Sequence, residues 1–300
     1  MIIIAKTIKE VRAAVKQWRR EGHSVGLVPT MGYLHEGHQS LVERAAAEND
    51  RVVVSIFVNP MQFGPKEDLA SYPRDLERDS EMCEEKGAHL IFHPEPGEMY
   101  EEGFCSFVDM TGLTEELCGL SRPTHFRGVC TVVTKLFNII QADKAYFGEK
   151  DAQQLAVICR MVKDLNIDVE VIGCPIVREV DGLAKSSRNT YLSKEERQAA
   201  LCLSQAVAIG RKMAEDGEKS ADAILDAMKA RIETEPLARI DYVKMVSAET
   251  MQQIETVTGS VLCALAVFIG QTRLIDNFIT IQPSAESQHN FPRSLREKRR

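Results

Sequence analysis

The sequence predicts an α/β fold: a doubly wound parallel sheet with a second, smaller α+β domain. Three observations carry that prediction. Apolar β-branched runs alternate with segments of helical periodicity as far as about Val177, the pattern of a parallel sheet with helices on both faces. The run Arg51–Val58 is β-branched almost throughout, as in a strand buried on both faces. Beyond about Glu235 the composition turns to β, with three runs suited to a small antiparallel sheet. The boundaries expected are 1–182 for the first domain and 183–283 for the second, with a polar, basic tail over 284–300.

Each element has its own signal. Ile2–Ala5 suits a strand, and Thr7 to Glu10 form a capping box opening a helix whose apolar face is Ile8, Val11, Ala14, Val15 and Trp18. Val25–Val28 is a short buried strand, and Gln39–Asn49 carries Leu41, Val42, Ala45 and Ala46 at helical spacing. Asp75–Lys86 reads as an acidic surface helix, His89–His93 as a strand, and Glu95–Gly103 as an acidic loop without assigned function. Arg127–Gln141 is strongly helical, and Arg122–Gly128 before it is a loop with two arginines and a histidine. Ala145–Phe147 runs as a strand into Gly148–Asp151, then a helix to Leu165 and a strand over Val169–Val177. Asp181-Gly182 marks a turn. Ser193 to Glu196 form a second capping box, opening one long helix to about Asp216, and another helix spans about Ala221–Glu235. The closing strands are expected at Asp241–Val246, Val261–Phe268 and Leu274–Ile281.

Composition narrows the function. A net charge of -7 and a pI near 5.6 argue against a general nucleic-acid or membrane-surface binder. The eight cysteines show no C-x-x-C spacing and several lie in apolar runs, which favours scattered core thiols of a reducing compartment over a disulfide framework. No apolar run is long enough for a membrane span and no secretory leader pattern opens the chain, so a cytoplasmic location is expected.

The most informative stretch is Pro29-Thr30-Met31-Gly32-Tyr33-Leu34-His35-Glu36-Gly37-His38, between a strand and a helix. Free backbone N–H groups and the helix dipole favour an anion there, and two imidazoles add donors. The spacing is not the H-E-x-x-H of a zinc helix, and the Walker pattern G-x-x-x-x-G-K-[ST] is absent from the chain. Asn59 and Gln62 follow the strand at Arg51–Val58, where substrates lie in open α/β sheets, although amides also serve as plain turn formers. Lys150 is a cation at a second strand-to-helix turn, with Gln154 on the adjacent helical face. Lys185-Ser186-Ser187-Arg188 sets two hydroxyls between two cations, a segment able to wrap a phosphate or simply to form an exposed loop.

Several phosphate-facing groups with no evident activated nucleophile fit attack by a substrate carboxylate on the α-phosphate of ATP. The attacking group is already an anion, and alignment and charge stabilisation suffice. Five motifs, Pro29 to His38, Phe57 to Phe63, Phe126 to Val129, Tyr146 to Gln154 and Ser186 to Asn189, occur in the order and spacing of the pantoate-β-alanine ligase (pantothenate synthetase) family, which the chain resembles over about residues 1–283. The resemblance implies a Rossmann-like domain of the H-x-G-H nucleotidyltransferase type. It implies that ATP and (R)-pantoate form pantoyl adenylate and diphosphate, and that β-alanine then displaces AMP to give pantothenate, a precursor of coenzyme A.

By position, the resemblance assigns ATP to Met31, Gly32, Tyr33, Leu34, His35, Glu36, Gly37 and His38 and to Gly148, Glu149, Lys150 and Asp151. His38 is expected as proton donor and His35 as its partner at the phosphates, with Lys150 and Arg188 also catalytic. Gln62 and Gln154 would hold pantoate, Asn59 would line the same pocket, and Val177 would meet the adenine side. Lys185, Ser186, Ser187 and Arg188 would close over the phosphates as the second domain moves about the turn near Asp181. Mg²⁺ with the ATP and a homodimer are implied too, without assigned metal ligands. Lys185 stands where the family more often has an apolar residue, and Thr124 replaces a common glycine. The alternatives are a related nucleotidyltransferase acting on a phosphorylated acceptor and a nucleotide-binding module without turnover.

Overall fold

The computed structural model describes residues 2–65 and 67–281, so the tail expected over 284–300 lies outside the described residues. The described chain forms two compact units, one of residues 2–179 and 184–190, the other of 180–183 and 191–281. Residues 184–190, expected with the second domain, thus belong to the first unit.

The first unit is built on six parallel strands: β1 (Ile3–Ala5), β2 (Val25–Thr30), β3 (Arg51–Ile56), β4 (Leu90–Phe92), β5 (Lys144–Gly148) and β6 (Glu170–Cys174). Their order is β1-β4-β3-β2-β5-β6. Its helices are α1 (Ile8–Arg20), α2 (Glu36–Glu48), α3 (Leu76–Glu85), the short α4 (Pro96–Met99) and α5 (Cys118–Ser121), α6 (His125–Ile140) and α7 (Ala152–Asp164). Successive strand side chains point to opposite faces, and both faces are apolar. Val25, Leu27, Val53, Leu90, Phe92, Ala145 and Phe147 pack with α1, α6 and α7, while Val28, Val52, Val54, Ile56, Ile91 and Tyr146 pack with α2 and α3. The strand order reverses between β2 and β5, which leave in opposite directions across the sheet. That switch point opens a crevice at their carboxyl ends, where the chain continues into Met31 on one side and Glu149 on the other.

In the second unit, α8 (Lys194–Ala199), α9 (Leu201–Glu215) and α10 (Ala221–Glu233) precede an antiparallel sheet of β7 (Ala238–Ser247), β8 (Ser260–Ile269) and β9 (Thr272–Ile281). Leu203, Val207, Ile224, Met228 and Ile232 of the helices meet Val261, Cys263, Leu265 and Val267 of β8. Gly210 lets α9 and α10 close up, since a Cβ there would lie 2.4 Å from Met228 Sδ.

Both capping boxes form: Thr7 with Glu10, and Ser193 with Glu196. The structure differs from expectation at several further elements. The long helix after Ser193 is interrupted at Ala200, whose carbonyl takes an i+3 bond from Leu203 N–H and tightens the turn. Helix α6 starts at His125, so half of the expected basic loop is its first turn. The acidic loop begins with α4, and α3 is not purely a surface helix, because Asp79 and Cys83 are buried. Among the described residues no helix is long and apolar enough to cross a membrane.

Candidate active site

The loop leaving β2 is bent by two successive left-handed residues, Gly32 at φ 84° and Tyr33 at φ 50°. That conformation aims neighbouring N–H groups in one direction, forming a small anion nest. The nest is filled from within the protein: Asp79 of α3 accepts from Tyr33 N and Leu34 N, both at 2.7 Å. The Arg78 guanidinium lies over the Tyr33 ring, 5.1 Å from its centroid. Burial raises the Asp79 carboxyl above its ordinary range while the two N–H bonds oppose the rise. Sequence reasoning missed Asp79. Its signal was a carboxylate at the spacing of Leu76 and Cys83, on the apolar stripe of an otherwise acidic helix.

His35 and His38 cap α2 reciprocally. His35 Nδ1 accepts from Gly37 N at 3.1 Å, and His38 Nδ1 accepts from His35 N at 3.3 Å. This is the geometry of a capping box with imidazoles in place of hydroxyl and carboxylate. A backbone N–H can only donate, so each Nδ1 carries a lone pair and each Nε2 carries the hydrogen. The rings lie 4.1 Å apart between centroids. Burial, then the companion imidazole and Lys150, lower His35 to about 2, and burial followed by Lys150 lowers His38 to about 4. Both rings are therefore neutral donors at physiological pH. Gly37 makes room for the cap, since a Cβ would come within 2.8 Å of His35 Cε1 and 2.9 Å of its Nδ1.

On the other side of the switch point, Lys150 Nζ donates to Asp151 Oδ2 at 3.1 Å. Burial disfavours charge on Asp151, but Lys150, with Arg188 and His125, holds its carboxyl below the ordinary range. The field that those groups share joins Lys150, Asp151 and Arg188 into one charged cluster. Arg188 donates through Nε and Nη2 to the Asp68 carboxylate, each at 3.0 Å. Ser186 Oγ accepts from Arg188 N at 3.3 Å, and Ser187 Oγ lies 3.2 Å from Tyr72 Oη. Lys185 bridges Glu36 and Glu179 at 2.9 Å each, which neutralises it, and its N–H donates to the carbonyl of Val177 at 3.0 Å.

The amides after β3 are ordered by one another. Asn59, 1% exposed, donates to Gln62 Oε1 at 3.2 Å and to the Gly128 carbonyl at 3.1 Å, and accepts from Met61 N at 3.3 Å and Tyr100 Oη at 2.8 Å. With its hydrogen-bonding groups used inside the protein, Asn59 orients Gln62 rather than offering a free amide. Gln62 Nε2 donates to Met31 Sδ at 2.9 Å, joining this pocket to the loop after β2. Arg122 and His125 both approach the Gln62 carbonyl, at 3.3 and 3.0 Å. Gly128 permits that packing, because a Cβ would lie 2.4 Å from the Met61 carbonyl. Of the adjacent glutamines on α7, Gln153 is buried and pins the 113–118 segment through Cys118 N, Leu113 O and Glu116 O. Gln154 is half-buried beside it, and no hydrogen bond joins it to the groups above. Among the described residues no group of three or more His, Cys, Asp or Glu side chains is arranged to hold a metal ion.

Comparisons with known proteins identify the family and the fold. The sequence model of the pantoate-β-alanine ligase family matches residues 3–279. The chain is 66% identical over 272 residues to the pantothenate synthetase of Ruminiclostridium cellulolyticum, covering 91% of this chain and 96% of that one. It is 61% identical over 277 residues to the enzyme of Enterococcus faecalis, covering 92% and 98%. The crystal structure of Thermus thermophilus pantothenate synthetase superposes with a TM-score of 0.88 at 47% identity, covering 92% of this chain and 99% of that one. A Francisella tularensis pantoate-β-alanine ligase, crystallised with a β,γ ATP compound and β-alanine, superposes with a TM-score of 0.76 at 33% identity, covering 93% and 98%. The chain belongs to the pantoate-β-alanine ligase family.

Proposed function

We propose the following division of labour for the reaction of this family, the ATP-dependent condensation of (R)-pantoate with β-alanine to give pantothenate. ATP lies along the switch point with its phosphates between the start of α2 and Lys150. The Nε2–H groups of His35 and His38 donate to phosphate oxygens as neutral imidazoles, and Lys150 and Arg188 supply the positive charge. Gln62, oriented by Asn59, and Gln154 hold pantoate by donating to its carboxylate and accepting from its hydroxyls. The carboxylate attacks the α-phosphorus and diphosphate departs. The β-alanine amine then attacks the acyl carbonyl of pantoyl adenylate, and AMP leaves. Both steps use groups aligned before reaction, with donors fixed where charge develops.

One observation carries this reading: the 2.9 Å bond from Gln62 Nε2 to Met31 Sδ sets the acid-binding amide directly against the nucleotide loop. An acid held at Gln62 is thereby adjacent to a nucleotide held after β2. A phosphorylated acceptor would call for cations where this pocket offers amides, and neither that alternative nor a module without turnover is favoured by the relatives.

Mg²⁺ enters with the nucleotide in this reading, as a small cation held mainly by phosphates and water does not need a protein cage. Asp151, the carboxylate paired with Lys150, would be the residue to hold it, and the ion would offset charge on the departing diphosphate. A homodimer in the cytoplasm, and a lid role for the second unit, complete the proposal. Sedimentation at micromolar concentration tests the dimer, and a single monomeric species would refute it. Crystal structures with and without ATP test the lid, and an unchanged orientation of the units would refute that role. For the reaction, incubation with ATP, Mg²⁺ and labelled diphosphate should give ATP labelling only when pantoate is present. Labelling indifferent to pantoate would overturn the assignment.

A further inference from the structure

The loop after Gln62 carries two adjacent carboxylates, and each grips a different arginine of the site. Glu67 takes Arg122 through both oxygens, Nε to Oε1 at 2.8 Å and Nη2 to Oε2 at 2.5 Å. Asp68 takes Arg188 in the same two-pronged manner, at 3.0 Å on both sides. Planar two-bond pairs of this kind fix direction as well as distance. The four side chains are between 16% and 29% exposed, so water screens these pairs less than it would pairs on an open surface.

The arginines lead to opposite halves of the site. Arg122 Nη2 also donates to the Gln62 carbonyl at 3.3 Å, and His125 bonds the same carbonyl, so Glu67 sets the turn that presents the Gln62 amide. Arg188 belongs to the segment with Ser186 and Ser187, and Tyr72, at the far end of the loop, meets Ser187 Oγ at 3.2 Å. Asp68 occupies the Nε and Nη2 edge of the Arg188 guanidinium, while Nη1 takes no partner among the described residues. The carboxylate thus orients the arginine and leaves one edge for an anion.

We propose that Glu67 and Asp68 are positioning residues that couple the two half-sites, so that an acid bound at Gln62 strengthens nucleotide binding at Arg188, and the reverse. This rests on the residue roles given under the proposed function. The physical basis is that a shift of the Gln62 turn moves Arg122 and Glu67, and the neighbouring Asp68 moves with them. Glu67 and Asp68 both titrate below their ordinary ranges although burial opposes this, because Arg122 and Arg188 hold them charged. Both links therefore persist at neutral pH. Coupling between sites is reciprocal, and where it operates it is typically about fivefold or more.

The test is calorimetric titration of the full chain with α,β-methylene-ATP, with and without (R)-pantoate, for the parent protein, Glu67→Gln, Asp68→Asn, the double variant and Arg188→Ala. In the parent, pantoate should tighten the analogue by about fivefold or more. Each single variant should bring that ratio close to one, and the double variant should lower it no further, because the links act in series. Asp68→Glu keeps the charge while displacing the carboxylate, and it carries the test if Asp68→Asn fails to fold. A purely structural role would lower melting temperature and leave the ratio unchanged. Folded single variants with the parent's ratio, or a parent without coupling, would overturn the inference. If Arg188→Ala binds the analogue as the parent does, the phosphate role of Arg188 is wrong. If it binds weakly while Asp68→Asn keeps the parent's ratio, the coupling alone is wrong.

Discussion

Gly37→Ala separates the stability of the α2 N-terminus from its chemistry. The new Cβ would stand 2.8 Å from His35 Cε1 and 2.9 Å from its Nδ1, closer than carbon and nitrogen can approach, so the imidazole must swing away. That breaks the 3.1 Å bond from Gly37 N to His35 Nδ1. Loss of an N-cap bond costs about 1 kcal/mol. An off-rotamer side chain costs about 1 kcal/mol more. Alanine in place of glycine in a helix offsets up to about 1 kcal/mol of this. The net destabilisation is about 1 kcal/mol, a fall of about 2–4 °C in melting temperature for a unit the size of the first. The chemical cost is larger, since displacing a donor by about 1 Å costs about 100-fold in rate. Pantoate-dependent exchange of labelled diphosphate into ATP, measured beside thermal unfolding, should therefore fall about 100-fold in kcat/KM for ATP while the fold barely weakens. In a His35→Ala background the steric cause is gone, and Gly37→Ala should change exchange by less than about twofold. A large effect in that background, or a Gly37→Ala enzyme with undiminished exchange, would refute the reasoning.

The other predictions follow from the same geometry. Because His38 titrates near 4 instead of at the ordinary 6.5, kcat/KM for ATP should show no acid limb near pH 6.5, and a limb there in a pH–rate profile would contradict a neutral donor. The sign for stability is the same for His38 and His125, both lowered to about 4. The unfolded chain takes up protons first, so stability is fully present above about pH 6.5 and falls as pH drops toward 4, which thermal unfolding across that window checks. Asp79→Asn leaves one of the Tyr33 and Leu34 N–H groups facing an amide donor, and should cost about 2 kcal/mol and raise KM for ATP more than KM for pantoate. Equal changes in both constants would mean that Asp79 supports the fold alone. Lys185→Met should cost about 1 kcal/mol or less, with kcat within about twofold, since the lysine is already paired with Glu36 and Glu179. A kcat loss of about tenfold or more would make Lys185 a phosphate ligand, the role its sequence position left open.

Much of the fold was legible because its signals are local. The β-branched run of β3 and the short apolar runs of β2 and β5 named buried strands, and the boxes at Thr7 and Ser193 located helix starts to the residue. The motifs at Met31–His38, Asn59–Gln62, Lys150 and Ser186–Arg188 likewise stood out as short, chemically dense segments. Their partners were not legible, because those depend on contacts across long separations. Asp79 meets Tyr33 across 46 positions, Asp68 meets Arg188 across 120, and Glu67 meets Arg122 across 55. Each partner sits in a segment that looks solvated on its own, and no periodicity marks a carboxylate that a distant arginine or turn will claim.

By itself the sequence determined the alternation of strands and helices, the chemistry offered at each strand end, and the motifs that mark the pantoate-β-alanine ligase family. Only the tertiary structure decided how that chemistry is presented. The reversal of strand order between β2 and β5 brings His35 and His38 toward Lys150. Reciprocal capping fixes the imidazoles as neutral Nε2–H donors, and Asn59 is consumed in aiming Gln62. The physical reason is that hydrogen-bond partners and burial set tautomer, charge and direction, and both are properties of the assembled fold, not of any segment in it.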